Sequence, residues 1–264
     1  MKDVSERLAF AIETARQAGR ATMPWFQSKD LIADGKPDGS PVTHADREAE
    51  RLVRDLVAST YPQDGVIGEE FPATEGTSGR TWIVDPIDGT MSFVHGVPLF
   101  GTMLACMHEG EPEIGVIYLP GLDEWVAAEI GAGCWWYRQG RGPERARVST
   151  QSELRGSMIL TTSMEYYRDE AQKKAWAKFV GLGAHTRGWS DCYAFVLLAT
   201  GRADAVVEPG VKLWDIAAVP PIVNESGGAW TDIEGNHDLH AGSIIASNGH
   251  IHGAVVEVMR SDNR

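Results

Sequence analysis

The sequence predicts an α+β layered sandwich, and three observations carry that expectation. Helical and strand-like spacings both recur along the 264 residues, they do so in two successive halves, and no solenoid-period repeat or low-complexity segment interrupts them. Helices and sheets that are each apolar on one side must stack in layers to bury those sides. A soft boundary near residue 145 divides the chain into halves 1–145 and 146–264 of one continuous unit.

Residues 4–27 carry Val4, Leu8, Ala11, Ile12, Ala15, Ala18 and Met23 at the spacing of a helix with one buried face. The stretch Asp34-Gly-Lys-Pro-Asp-Gly-Ser-Pro41 is too rich in turn residues for a helix and is expected to be a mobile loop. A second helix starts at Thr43 and runs to Thr60, with Leu52, Val53, Leu56 and Val57 turned inward. Gly65-Val-Ile-Gly-Glu-Glu70 and Thr81-Trp-Ile-Val-Asp85 are short apolar runs that end in carboxylates, as strands ending at a site rim would. Strands follow at Phe100–Met107 and Ile114–Tyr118, parted by the turn Glu109-Gly-Glu-Pro112, and at Trp125–Glu129 and Gly133–Tyr137. The second half gives strands at Ser157–Thr161, Ala184–Arg187, Ala203–Glu208 and Ser243–Ser247. Helices fall between them at Glu165–Leu182, Asp191–Thr200 and Trp214–Ser226, the last closed by Gly227-Gly228, and a short helix ends the chain.

Hydrophobic residues make up 43% of the chain and charged residues 23%, which excludes a disordered tail, a disulfide miniprotein and a coiled coil. The 24 basic residues are outnumbered by 37 acidic ones, for a formal charge of −13. Such a surface repels nucleic-acid backbones and anionic lipids, so neither partner is expected. An anionic substrate would then need a local source of positive charge. Cys106, Cys134 and Cys192 form no Cys-x-x-Cys pair and read as buried thiols in a reducing compartment. With a polar N-terminus and no membrane-spanning apolar run, a cytoplasmic protein is expected.

The chemistry concentrates in Trp82-Ile-Val-Asp85-Pro-Ile87-Asp88-Gly89-Thr90. A hydrophobic strand would deliver Asp85 at its end, Pro86 would stop the ladder, and Asp88 would follow one turn later. Gly89-Thr90 then opens a helix whose backbone N–H groups suit an anion. Asp85 and Asp88 could instead be turn and cap residues, a role aspartate favours. Three further segments share the acidic character: Gly68-Glu69-Glu70 at a strand end, Trp214-Asp215 at a helix start, and Thr43-His-Ala-Asp46, which equally resembles a capping box. Oxygen ligands without histidine or thiolate suit Mg²⁺ or Mn²⁺ rather than zinc, and several at one site fit two-metal hydrolysis. Cations would then supply the positive charge that the side chains lack.

Gly-Glu-Glu, Asp-Pro-Ile-Asp-Gly-Thr, and Trp-Asp-Ile-Ala-Ala followed by Glu-Ser-Gly-Gly, in this order, resemble the inositol monophosphatase family. The match runs from Lys36-Pro-Asp-Gly-Ser-Pro-Val-Thr43 to Ala246-Ser-Asn-Gly249. The resemblance implies an α/β/α/β/α fold, a homodimer, and Mg²⁺-dependent hydrolysis of a small-molecule phosphate monoester. It implies Glu69, Asp85, Asp88, Asp215 and the Ile87 carbonyl as ligands of two or three ions, with Asp46 reaching a further, weaker one through water. It also implies that Thr90 and Glu69 orient the attacking water while the Gly89 and Thr90 backbone holds phosphate. Met91 departs from the family, where many relatives carry a polar or basic residue, and this bears on substrate contacts. A member serving only to bind or regulate would be expected to have lost Glu69, Asp88 or Thr90, and all three are present.

Arg187-Gly-Trp-Ser-Asp191-Cys-Tyr, Val207-Glu208-Pro and Phe93-Val-His-Gly-Val-Pro-Leu-Phe-Gly-Thr102 resemble the bacterial histidinol-phosphatase branch. Inositol-specific relatives tend to carry a small residue at the position of Asp191 and share the glutamate at Glu208. Two carboxylates around the leaving group suit an ester with an amine and an imidazole better than a neutral polyol. Histidinol phosphate is therefore the first substrate expected and inositol phosphate the second, with Asp191, Glu208, Arg187 and Lys36 as substrate contacts. Asp191 could otherwise simply cap the helix it begins. Other chemistries lack their signatures. His237/His240 and His250/His252 join no cysteine or Glu-x-x-His pattern, and His95 reads as the end of a short helix. Gly131-Ala-Gly-Cys-Trp-Trp runs into strand-like sequence rather than a helix, and no Gly-x-Ser-x-Gly elbow occurs. Asp85 and Asp88 are three apart, not the two-apart pair of the aspartyl-phosphate phosphatases.

Overall fold

A computed structural model describes residues 4–35, 41–168, 170–189 and 191–260. Lys36 therefore lies outside the described residues. The first layer is a helix pair, α1 (Glu6–Thr22) and α2 (His44–Thr60), joined by a hairpin of β1 (Ala33–Gly35) and β2 (Pro41–Thr43). α1 starts where the Ser5 hydroxyl accepts the Leu8 N–H, and it stops at Met23, short of residue 27, because Pro24 has no N–H with which to continue the helical ladder. The flanks of the expected loop are thus paired strands rather than loop.

The second layer is a seven-stranded sheet in chain order: β3 (Gly65–Gly68), β4 (Arg80–Asp88), β5 (Gly101–His108), β6 (Glu111–Leu119), β7 (Glu124–Glu129), β8 (Gly133–Arg138) and β9 (Arg141–Arg145). All neighbours are antiparallel except β3 and β4. A single turn, α3 (Thr90–Val94), stands between β4 and β5. The two-residue period of β4 sorts its side chains: Trp82 and Val84 pack against α1 and α2, and Ile83 faces the other way. β9 was not foreseen, since Arg-Gly-Pro-Glu-Arg has no apolar alternation and every residue of this edge strand is exposed.

The second half runs β10 (Met158–Thr161), α4 (Glu170–Gly181), β11 (His185–Gly188), α5 (Asp191–Ala199), β12 (Ala205–Glu208), α6 (Leu213–Ile216), α7 (Val219–Ser226), β13 (Ala229–Thr231), β14 (Ile244–Ser247) and α8 (His252–Arg260). Its five strands form one sheet in the order β11-β10-β12-β14-β13. α5 and α7 fill the space between the two sheets, where Ile83 and Met103 of one meet Leu160 and Val206 of the other. Ala205 and Val207 turn outward to α4 and α8. The order helix, sheet, helix, sheet, helix is the α/β/α/β/α arrangement expected. The single helix expected over Trp214–Ser226 is two, because Pro220 and Pro221 are tolerated only in a first turn and the helix restarts at Val219. α4 likewise starts at Glu170 rather than Glu165, after a 3₁₀ turn over Met164–Tyr166 that Ser163 caps. Among the described residues no helix is long and apolar enough to cross a membrane.

Candidate active site

In a regular strand, residues three apart face opposite sides of the sheet. Asp85 lies across from Met103 and Asp88 across from Gly101, so β4 takes three steps where β5 takes two. The bulge turns Asp88 onto the side of Asp85. The ladder thus continues past Pro86, which corrects the expectation that Pro86 ends it; the proline sits in the bulge, where its missing N–H interrupts no regular pairing. The Ile87 N–H donates to Asp85 Oδ1 at 3.0 Å, and the Thr102 hydroxyl donates to the Pro86 carbonyl at 2.8 Å, fixing the segment from both sides.

Asp215, in the first turn of α6, adds a third carboxylate and accepts the Lys212 N–H at 2.7 Å. Ligand oxygens of Asp85, Asp88 and Asp215 lie within 4.8 Å of one another, a span one divalent cation can bridge. Glu69, Ile87, Gly89 and Thr90 line the same cleft, whose volume is about 500 Å³. Gly89 has φ +88°, a left-handed conformation that glycine adopts without strain, and it lets the chain turn from β4 into α3. The Thr90 hydroxyl donates to the Ile87 carbonyl at 2.9 Å and stands 3.5 Å from Asp46 Oδ1. Asp46 Oδ2 meanwhile accepts from the Thr43 N–H and hydroxyl at 2.8 and 2.6 Å. One oxygen of Asp46 thus serves the helix cap, while the other faces Thr90. His95 is the C-cap of α3.

Asp88 also reaches the second half of the chain, where its carboxylate accepts the Cys192 N–H in the first turn of α5. Asp191, the first residue of α5, has φ +43°, and its side chain lies beside Gly89: a Cβ added there would stand 2.9 Å from Asp191 Oδ2. Glu208 is buried at the end of β12 and accepts from the Thr162 N–H and hydroxyl at 2.7 and 3.0 Å. The Thr162 hydroxyl oxygen accepts the Asp191 N–H at 2.9 Å, so one threonine ties the Glu208 carboxylate and the Asp191 backbone to the same wall. Arg187 is not brought to this cleft. It sits exposed on the outer strand of its sheet and donates to the Thr186 carbonyl at 2.7 Å. Sequence reasoning had not singled out Thr162, Tyr166, Arg168 or Lys212, all of which line the cleft.

Among the described residues the lining carries seven carboxylates, on Glu69, Asp85, Asp88, Glu165, Asp191, Glu208 and Asp215, against the two cations of Arg168 and Lys212. Burial pushes Asp46 up to about 6, Asp215 to about 7 and Glu208 to about 8. Asp85 and Asp88 rise well above the carboxylate range, first through burial and then through the like charges of Glu69 on one and Asp191 on the other. Unfolded carboxyls titrate near pH 4, so from about pH 4 to 8 the folded protein holds protons that the unfolded chain has released. Stability present at low pH is lost as pH rises through that window. The protein stripped with EDTA is expected to melt at a lower temperature at pH 8 than at pH 5 in calorimetry, with added Mg²⁺ raising the pH 8 value more. Equal melting with no response to Mg²⁺ would contradict a cluster short of positive charge.

The sequence profile of the inositol monophosphatase family matches residues 3–263. A histidinol-phosphatase of Chlorobaculum parvum is 40% identical over 91% of this chain and 91% of its own length. A histidinol-phosphatase of Mycobacterium tuberculosis is 38% identical over 94% and 96%. Among solved structures, the extragenic suppressor protein suhB of Bartonella henselae superposes with a TM-score of 0.89 at 30% identity, covering 97% of this chain and 99% of that one. With the acidic cluster, the five-layer fold and these likenesses in agreement over nearly the whole length, the chain belongs to the inositol monophosphatase family.

Proposed function

We propose that this phosphoric monoester hydrolase removes the phosphate of histidinol phosphate with the help of Mg²⁺. The observation that carries the substrate is the pair Asp191 and Glu208, joined through Thr162 in the cleft that holds the acidic cluster. Paired carboxylates in a buried wall suit a cationic amine, and Glu208, held up to about 8 without one, would ionise on meeting it. The relatives named histidinol-phosphatase support the same choice.

The donor set is all oxygen, buried at Asp85 and Asp88 and half-buried at Asp215, and short of cations among the described residues, which fits Mg²⁺ or Mn²⁺. Asp85, Asp88 and Asp215, with Glu69 and the Ile87 carbonyl, would hold the ions. Divalent cations there would supply the positive charge that draws in the phosphate and acidifies the attacking water. The residues do the positioning. Thr90 gives its hydroxyl hydrogen to the Ile87 carbonyl, which leaves its oxygen lone pairs to accept from the water, with Glu69 as the second acceptor. Asp46, fixed by its bonds to Thr43, stands 3.5 Å behind the Thr90 hydroxyl as a second, more distant acceptor. The Gly89–Thr90 backbone receives phosphate oxygens as the water adds to phosphorus, the ester P–O bond breaks, and the departing alcohol oxygen takes a proton.

Phosphate release from histidinol phosphate and from inositol 1-phosphate, side by side in Mg²⁺ and in EDTA, tests this. Strong preference for histidinol phosphate, abolished by EDTA, is the expected result. Preference for the inositol ester would keep the hydrolytic argument and remove the amine reading of Asp191 and Glu208. Release from neither would overturn the substrate assignment.

A further inference from the structure

α2 carries Asp46, Glu50 and Arg54 at four-residue intervals, which puts them one above another on a single face. Asp46 meets Thr90. The other two meet the segment that follows β3. Glu50 is fully buried, a position a carboxylate occupies only with partners. Its Oε2 accepts the Glu70 N–H at 2.7 Å and its Oε1 accepts Arg54 Nε–H at 2.8 Å. Arg54 continues the chain by donating to the Phe71 carbonyl and the Thr74 hydroxyl, both at 3.1 Å. The contact is close enough to dictate a glycine, since a Cβ on Gly68 would fall 2.2 Å from Glu50 Oε1. The backbone around Glu69 is therefore gripped from α2 on both sides: at Gly68 by contact, and at Glu70 and Phe71 by hydrogen bonds.

We propose that Glu50, braced by Arg54, is a positioning residue that holds the Gly68–Phe71 turn so that Glu69 faces the acidic cluster. The inference rests on the cation-dependent reading above. Nothing in the chemistry of the reaction requires a carboxylate at residue 50, and it does not line the cleft. Its effect on cations runs through the backbone of its neighbour. Groups that orient a ligand from behind typically change cation affinity or activity about 10–100-fold when altered.

The test is Mn²⁺ binding to EDTA-stripped protein, read by electron paramagnetic resonance without substrate, alongside steady-state kinetics. In Glu50→Gln the amide oxygen can still accept the Glu70 N–H, but its NH₂ is set against the Arg54 Nε–H, donor to donor. The expected result is Mn²⁺ affinity weakened about tenfold, kcat lowered, and KM for the ester near its original value. Unchanged Mn²⁺ affinity with a lowered melting temperature would overturn the proposal and leave Glu50 as part of the fold only. Arg54→Gln reads the same link from its partly exposed end should Glu50→Gln not fold. Asp88→Asn serves as the control that separates the two ideas: if it too leaves Mn²⁺ binding unchanged, the cation site itself is misassigned. If it alone weakens binding, only the positioning role fails.

Discussion

Asp88→Asn is expected to lower kcat by about 10³-fold or more at saturating Mg²⁺ while the protein keeps its fold. The size follows from the several kcal/mol of charge stabilisation that a held divalent cation supplies to phosphoryl transfer, each ~1.4 kcal/mol being a factor of ten. The retained fold follows from the second role of this side chain. Asp88 accepts the Cys192 N–H and so pins the β4 bulge to α5, and an asparagine carbonyl can accept the same bond. Replacing a buried acid, whose charge is already opposed by Asp191 and Asp215, with a neutral amide should not lower the melting temperature of the metal-free protein. It should shrink the increment that Mg²⁺ adds. Phosphate release and calorimetry with and without Mg²⁺ read both effects. A variant with near-original turnover would remove Asp88 from the cation site, and a variant that melts early without metal would mean that its structural bond outweighs its charge.

What could be read in the sequence was what is local. The apolar spacing of Leu8, Ala11, Ile12 and Ala15 is contained within α1, and the Thr43–Asp46 cap needs only four residues. Asp-Pro-Ile-Asp-Gly-Thr announced its acidic pair for the same reason. The bulge that turns Asp85 and Asp88 to one side was not readable, because it is defined by a mismatch with β5 at Gly101 and Met103. Thr162 was invisible for a similar reason: its partners, Glu208 and Asp191, lie 46 and 29 residues away, and a threonine after a strand carries no mark of its own. Arg187 went wrong through strand order. It stands in a motif beside Asp191, yet β11 takes the outer edge of its sheet and leaves the arginine in solvent. The break before α7 was written in Pro220-Pro221, where rules of helix geometry suffice and the apolar periodicity on either side conceals it.

With Asp191 proposed to face the leaving alcohol, Asp191→Asn is the substitution with the largest expected effect on choice of substrate. Asparagine is the right replacement because φ is +43° here. Asparagine tolerates this left-handed geometry, whereas alanine would add backbone strain to whatever the lost charge does. If the carboxylate faces the amine of histidinol phosphate, removing one partner of a desolvated charge pair costs about 2–5 kcal/mol, or on the order of 10²-fold in kcat/KM for that ester. An inositol ester has no cation to lose, and its turnover should hold. The electrostatics sharpen the contrast. The charge of Asp191 raises both Asp88 and Glu208, so its removal lets both ionise at lower pH. The polyol ester should then be hydrolysed at lower pH by the variant than by the original protein, while the amine ester is lost at every pH. Paired pH–rate profiles for the two esters measure this directly. Parallel losses, with no displacement of either profile, would assign Asp191 to the start of α5 and leave recognition of the leaving group to Glu208 and the rest of the wall.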